Sequence, residues 1–405
     1  MDDVLDGVVD EAHQLLGDAV ALRRRLHQRP ELGLDLPATQ ETVLEALDGL
    51  PLAVHRGAAT TSVVATLDGG AGPGPTVLLR ADMDALPMPE DTGTDFASRV
   101  EGAMHACGHD SHVAMLVAAA RLLVGRRADL AGRVALMFQP GEEGHHGARY
   151  MLDEGLLDLA GAGARPVSLA FALHQTPTIA SGVVATRSEA LLAASDTLRV
   201  VIRGRGGHAS APHQALDPIP IACEVVTALQ ALVTRRVDAF DPAVITIARI
   251  TAGTTSNVIP EEAELYGTVR TVSDPTRREV HEAVRRLAEG IAAAHGAEAK
   301  VDLEPGFPVT YNDGDAADFT LDVAGQLLGP GRCRRLPAPI MGSEDWSYVL
   351  QQVPGAMAFL GTRPAVDGPV APNHSNRMVL DEAAMATGIA MHAGVALRWL
   401  GRDGG

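Results

Sequence analysis

Arg133-Val134-Ala135-Leu136-Met137-Phe138-Gln139-Pro140-Gly141-Glu142-Glu143-Gly144 sets a nearly unbroken apolar run against a proline, two glycines and an acidic pair. A short run without polar alternation predicts a strand covered on both faces, as in the middle of a helix-flanked sheet. Downstream, Val167 to Leu173 has the same character and stops as abruptly, at His174. Upstream, Thr61 to Leu67 and Thr76 to Leu79 read as strands, and the Gly/Pro-rich stretch Gly69 to Pro75 between them predicts that they pair. His112 to Val124 is apolar on most sides and follows Asp110-Ser111, both good N-cap types, so a buried helix starts there with its anion-favouring end toward these loops. Asp6 to His27 has helical spacing and carries Arg23, Arg24 and Arg25 in its last turns, where cations suit a helix C-terminus. Strands alternating with helices predict an α/β layer.

Between 188 and 304 the pattern changes. Strand (Thr197 to Ile202), helix (Ile219 to Val233), strand (Ala243 to Ile250), strand (Glu264 to Val272), helix (Arg277 to His295) and strand (Ala299 to Leu303) follow one another. That β-α-β-β-α-β order is the split βαβ, ferredoxin-like motif, a unit that can be inserted into a host domain. From 305 to 405 the earlier style returns, with a strand at Ala356 to Leu360 and a helix at Asp381 to Leu400. The expectation is an α/β domain with a mixed central sheet flanked by helices, built from 1–187 and 305–405, and interrupted by an inserted α+β lid over 188–304.

Composition bounds the partners. A chain of 405 residues exceeds what one hydrophobic core usually serves. Apolar residues at 46% and charged residues at 21% are ordinary for a folded globular protein. A formal net charge of -18 repels phosphate backbones and anionic lipid, which argues against nucleic-acid and membrane partners. The three cysteines, Cys107, Cys223 and Cys333, form no disulfide framework, which fits a reducing compartment. The acidic start Met1-Asp2-Asp3 lacks a basic region followed by an apolar stretch, and no apolar run reaches the roughly 20 residues that span a bilayer. A cytoplasmic location is the expectation.

The chemistry concentrates in loops after the predicted strands. In Met104-His105-Ala106-Cys107-Gly108-His109-Asp110-Ser111-His112, Cys107 and His109 are two apart, and in extended backbone their side chains share a face and can close on one metal ion. Three readings stay open for the pair alone: metal ligands, a cysteine nucleophile with a histidine base, or a buried cysteine beside polar loop residues. Further ligand types stand at strand ends, the Glu142-Glu143 pair and His174, and in a loop, His374 in Ala371-Pro372-Asn373-His374-Ser375. In extended backbone the two glutamates point opposite ways, so that one can bind a metal while the other serves as general base. Asp82 and Asp84, in Arg80-Ala81-Asp82-Met83-Asp84-Ala85-Leu86-Pro87, can hold the tautomer of a ligating histidine from behind; an ordinary turn or capping role is the plainer alternative for each. In 188–304, Gly204-Arg205-Gly206-Gly207-His208 matches neither phosphate-binding fingerprint, and its glycines rather permit a backbone path that presents His208.

Taken together, these segments resemble the aminoacylase and carboxypeptidase family of metal-dependent amidohydrolases, in particular the subgroup of hippurate hydrolases and indole-acetyl-amino-acid hydrolases. The resemblance spans almost the whole chain and is carried by Asp82 to Pro87, Cys107 to Asp110, Gly141 to Gly144, Gly206 to His208, Ser256-Asn257-Val258-Ile259-Pro260 and Gly342-Ser343-Glu344-Asp345-Trp346. It implies two divalent ions (Zn, Mn, Co or Ni) on Cys107, His109, Glu143, His174 and His374. It implies Glu142 as the base acting on metal-bound water, with Asp84 and His208 completing the catalytic set, and cleavage of the amide bond of a small N-acyl amino acid. A dipeptidase or carboxypeptidase with the same centre is the alternative. His208 stands where the family's lid histidine reaches the neighbouring subunit's site, which implies a homodimer through the lid, and Asn257 and Arg270 stand where the substrate carboxylate is held. Asp82 departs from carboxypeptidase-like relatives, which carry a histidine two positions before the aspartate that matches Asp84. Thr254-Thr255-Ser256 departs from relatives with a small residue followed by a bulkier or polar one. His145 and His146 receive no role.

Overall fold

The computed structural model describes residues 4–161, 165–366 and 368–401 and divides into two compact units. The first comprises Met1–Leu191, Tyr311–Ala338 and Tyr348–Gly405; the second comprises Leu192–Thr310 and Pro339–Ser347.

The first unit is built on an eight-stranded mixed sheet in the spatial order Ala53–Arg56, Val63–Asp68, Arg133–Gln139, Thr76–Asp82, Val167–Thr176, Gly355–Gly361, Val184–Thr186, Cys333–Arg335. Its four middle strands, Arg133–Gln139 through Gly355–Gly361, run parallel. The continuous apolar runs are the middle strands because only there are both faces covered: every residue of Thr76–Asp82 and Gly355–Gly361 is buried. Val63–Asp68 and Thr76–Asp82 do not pair. Arg133–Gln139 lies between them, antiparallel to the first and parallel to the second. The Gly/Pro stretch at 69–75 is thus the link between strands on either side of a third, and turn chemistry alone does not reveal that.

The helix His109–Gly125 packs against Val8–His27 and Met385–Leu400 and is buried along most of its length. Its all-round apolar character is what such a position requires. It begins three residues earlier than the Asp110-Ser111 capping pattern predicts. Gly108, at φ 80°, turns the chain in, and the Ser111 hydroxyl donates to the Gly108 carbonyl at 2.6 Å instead of capping. His109 therefore occupies the first helical turn. On Met385–Leu400, Gly388 lets the helices meet: a Cβ there would lie 2.1 Å from Met115 Sδ.

The second unit has the topology that its element order predicts. Ala194–Arg203, Pro218–Arg236, Ala243–Ala252, Glu262–Thr271, Asp274–Ala294 and Glu298–Pro305 form an antiparallel sheet ordered Ala243–Ala252, Glu262–Thr271, Ala194–Arg203, Glu298–Pro305, with two helices. Alternation does the sorting here. Leu198, Val200, Ile202, Leu265 and Val269 join a second core with Ile221, Val225 and Leu229 of one helix and Val280, Val284 and Ala288 of the other. Asp217 and Ser273 cap the helix starts, accepting from Ile219 N at 3.0 Å and Thr276 N at 3.2 Å.

Candidate metal centre

Open sheets place their sites beyond the C-terminal ends of parallel strands, and the four middle strands deliver ligand-type side chains there. Asp82 ends one strand, Glu142 and Glu143 follow another, His174 lies near the end of the third, and the loop with Asn373 and His374 follows the fourth. The helix His109–Gly125 adds His109 and His112 from its first turn, with Cys107 just before it.

The donor atoms converge. Cys107, His109 and His174 form one group whose ligand atoms lie within 4.8 Å of one another, as do Cys107, Glu143 and His374, and His109, Glu142 and Glu143. Cys107 Sγ is 3.4 Å from His174 Nε2, and His374 Nε2 is 3.3 Å from Glu143 Oε1. The orientation of two imidazoles follows from their partners. His109 Nδ1 lies 2.8 Å from the Asp84 carbonyl and His174 Nδ1 lies 2.6 Å from the Gln175 carbonyl. A carbonyl only accepts, so each Nδ1 carries a proton and each Nε2 is the nitrogen left to face the cluster, free to bind a cation once it holds no proton. Among the described residues, His109 Nε2 and Glu143 Oε1 are buried without a hydrogen-bond partner. Unsatisfied buried donor atoms of this kind fit a cation between them.

Glu142 and Glu143 differ from the extended pair that the sequence reading assumes. Gly144 N–H donates to the Glu142 carbonyl at 2.6 Å, so the segment is a turn. Both carboxylates reach His109 instead of pointing apart. Asp84 holds that turn: its Oδ1 and Oδ2 each accept a backbone N–H, from Glu142 and Glu143, at 2.9 Å. The bond that orients His109 is made by the Asp84 backbone carbonyl, not its carboxylate. Asp82, fully buried, accepts from His112 Nδ1 at 2.5 Å and from Arg80 at 2.6 Å, and its Oδ2 lies 3.5 Å from His109 Nε2.

The electrostatics calls for positive charge. Burial would strip the proton from His109, but the Asp82 carboxylate and Cys107 overcome it and hold the imidazole well above its usual range. His374 is pushed up to about 10 by the nearby Cys107 and the Glu143 carboxylate. Burial pushes the Cys107 thiol up and drives His174 well below the usual imidazole range. A cluster that holds protons firmly on His109 and His374 has excess negative charge, which a divalent cation would neutralise as those protons leave.

His208, Asn257 and Arg270 belong to the second unit. His208 and Asn257 are neighbours there: Gly207–His208 pairs with Val258–Ile259, and the Ala209 N–H donates to the Asn257 carbonyl at 3.1 Å. Both side chains are exposed, and His208 Nδ1 is bonded to Ser210. Arg270 donates to the Met341 carbonyl at 2.8 Å. His146, at φ 58°, has its Nδ1 2.9 Å from Tyr348 Oη. Sequence reasoning passed over Arg80, His112, Gln175 and Asn373. The last two stand next to predicted ligands, and His112 falls in the same His/Cys-rich stretch, so adjacency was the available signal.

A family model for "Peptidase family M20/M25/M40" matches residues 78–398, which spans every one of these loops. The chain belongs to that family. Among its relatives, a "Thermostable carboxypeptidase 2" of Saccharolobus solfataricus is 35% identical over 98% of this chain and 99% of its own length. An "N-acetylcysteine deacetylase" of Bacillus subtilis is 37% identical over 93% of this chain and 96% of its own. The crystal structure of a dinuclear metal binding peptidase of the M20 family, also from Bacillus subtilis, superposes with a TM-score of 0.81 at 34% identity, covering 96% of this chain and 99% of that one.

Proposed function

We propose that the chain is a metal-dependent amidohydrolase that cleaves the amide bond of a small N-acyl amino acid, releasing a carboxylic acid and the amino acid. The convergence of Cys107, His109, Glu143, His174 and His374 around common points carries this reading, and membership of the M20 family supports it. These five residues would hold two divalent ions. Zn, Mn, Co and Ni all suit mixed sulfur, nitrogen and oxygen donors. When bound, the ions supply Lewis acidity toward the acyl oxygen and lower the pKa of water.

The chain's own residues divide the remaining work. Glu142 takes the proton from the attacking water and returns it to the leaving amine. Asp84 holds the Glu142-Glu143 turn through two backbone N–H groups and orients His109 through its carbonyl. His208, offered from the inserted unit of a second copy, donates to the developing oxyanion. Asn257 and Arg270 hold the substrate carboxylate. The inserted unit, read from sequence as 188–304, thus acts as lid and dimerisation domain, and its closed ferredoxin-like core supports its treatment as a separate body. A cytoplasmic location accords with three free cysteines. Among the described residues no helix is long and apolar enough to cross a membrane.

The carboxypeptidase reading draws on the Saccharolobus relative's name. A panel of acetyl, benzoyl and indole-acetyl amino acids beside dipeptides, assayed with metal-reconstituted protein, separates the two. Turnover of acyl amino acids over dipeptides is expected, and the reverse preference overturns it. Chelation abolishes turnover on either metal reading, whereas a cysteine nucleophile would survive it.

A further inference from the structure

Gln175 follows His174 at the end of the Val167–Thr176 strand and is fully buried. Every polar group it owns is used. Its Nε2 donates to the Cys107 carbonyl at 2.7 Å and to Asn373 Oδ1 at 3.0 Å, while its Oε1 accepts from Thr362 Oγ1 at 2.7 Å. Its backbone N–H donates to His112 Nε2 at 2.9 Å, and its carbonyl accepts from His174 Nδ1 at 2.6 Å and Asn373 Nδ2 at 3.2 Å. The Cys107 carbonyl can only accept, which fixes which end of the Gln175 amide faces it. The Gln175 carbonyl fixes the Asn373 amide in the same way, and that leaves Asn373 Nδ2 directed also at Cys107 Sγ, 3.9 Å away.

One side chain therefore joins three segments that have no covalent reason to keep register: the Cys107 loop, the His174 strand end, and the loop that carries Asn373 and His374. The chain makes room for it. Gly108 sits at φ 80°, and a Cβ there would lie 2.5 Å from Gln175 Nε2. We propose that Gln175 is a positioning residue that sets the spacing between Cys107, His174 and His374 and directs an Asn373 N–H at the Cys107 sulfur. This rests on the reading of those three residues as metal ligands. Both ends of the Gln175 side chain are taken by protein groups, so its role is exerted through Cys107, Asn373 and Thr362.

The experiment is cobalt(II) titration of the full-length protein, in competition with a chelator, following the thiolate-to-cobalt charge-transfer band. Partners behind metal ligands tune affinity by roughly 10–100-fold, so Gln175→Leu is expected to weaken cobalt binding by that factor and to shift the band, with secondary structure kept. Loss of metal binding together with folding would be a merely structural effect, whereas a displaced band in folded protein is not. The backbone bonds of residue 175 to His112 and His174 survive the substitution. If the leucine variant fails to fold, the isosteric Gln175→Glu, which keeps the Thr362 bond and loses both donors, is expected to show the same shift. Parent-like affinity and band position in a folded variant overturn the proposal. Absence of any thiolate band in the parent protein overturns the ligand reading and the proposal with it, and is thereby distinguished from a failure of Gln175 alone.

Discussion

A single carboxylate, Glu142, carries the largest chemical burden in this account. It is buried, it lies within reach of His109 and Glu143, and its turn is pinned by Asp84. Glu142→Gln removes the base while leaving the five proposed ligands in place. We expect metal content equal to the parent's and kcat lower by about 10²–10⁴-fold, the usual share of general acid–base catalysis; metal analysis beside steady-state kinetics checks it, and parent-like kcat removes Glu142 from the mechanism. His27 bears on stability instead. Its Nδ1 is 2.8 Å from Asp110 and its Nε2 is 3.2 Å from Glu90, so both nitrogens donate to carboxylates and the ring is the cation. Burial opposes that charge, yet the Asp110 and Glu90 contacts raise its pKa to about 9. A raised folded-state pKa stabilises fully below the unfolded value near 6.5 and ceases to as pH climbs through about 9, a contribution of order 3 kcal/mol. The difference in unfolding midpoint between parent and His27→Gln is therefore expected to be large at pH 6 and to shrink by pH 10. A gap that is constant across that window contradicts it.

At the scale of elements, the site depends on how the chain enters the helix His109–Gly125. Gly108 adopts a left-handed conformation and leaves no space for a side chain. Gly108→Ala is expected to destabilise the protein by more than about 1 kcal/mol in denaturant unfolding, through backbone strain and the clash with Gln175, and an unchanged midpoint would show that the turn tolerates a Cβ. This element also marks the limit of what could be read from residues alone. The buried helix was legible from its apolar length, but its start was not, because Asp110 and Ser111 look like caps and Gly108 takes that place. The middle strands were legible because continuous burial leaves a continuous apolar run. The neighbour relation of Val63–Asp68 and Thr76–Asp82 was not, since the strand between them comes more than fifty residues later in the chain. The short strands Ala53–Arg56, Val184–Thr186 and Cys333–Arg335 carry too few residues for a period to show.

For the whole molecule, the βαββαβ order made the topology of the second unit's sheet legible in the sequence, whereas no residue pattern shows where that unit places His208. The proposal that His208 serves the neighbouring copy's site is tested by mixing. His208→Ala and Glu142→Gln protomers, each inactive alone, should on random reassociation restore about a quarter of parental activity, because half the dimers then hold one complete site. No recovery on mixing, with exchange of protomers demonstrated, contradicts the shared site. The ligand types were equally legible, since glutamate and histidine stand at predicted strand ends and cysteine and further histidines in the adjoining loops, but the network behind them, Gln175 and Asn373 above all, emerged only from packing. All of this depends on whether the five side chains hold metal. An anomalous-scattering crystal structure of the metal-loaded protein tests that most directly. The account predicts two ions, with Cys107 Sγ at about 2.3 Å and the imidazoles of His109, His174 and His374 and the Glu143 carboxylate at about 2.0–2.2 Å; metal bound elsewhere, with these residues left uncoordinated, would contradict it.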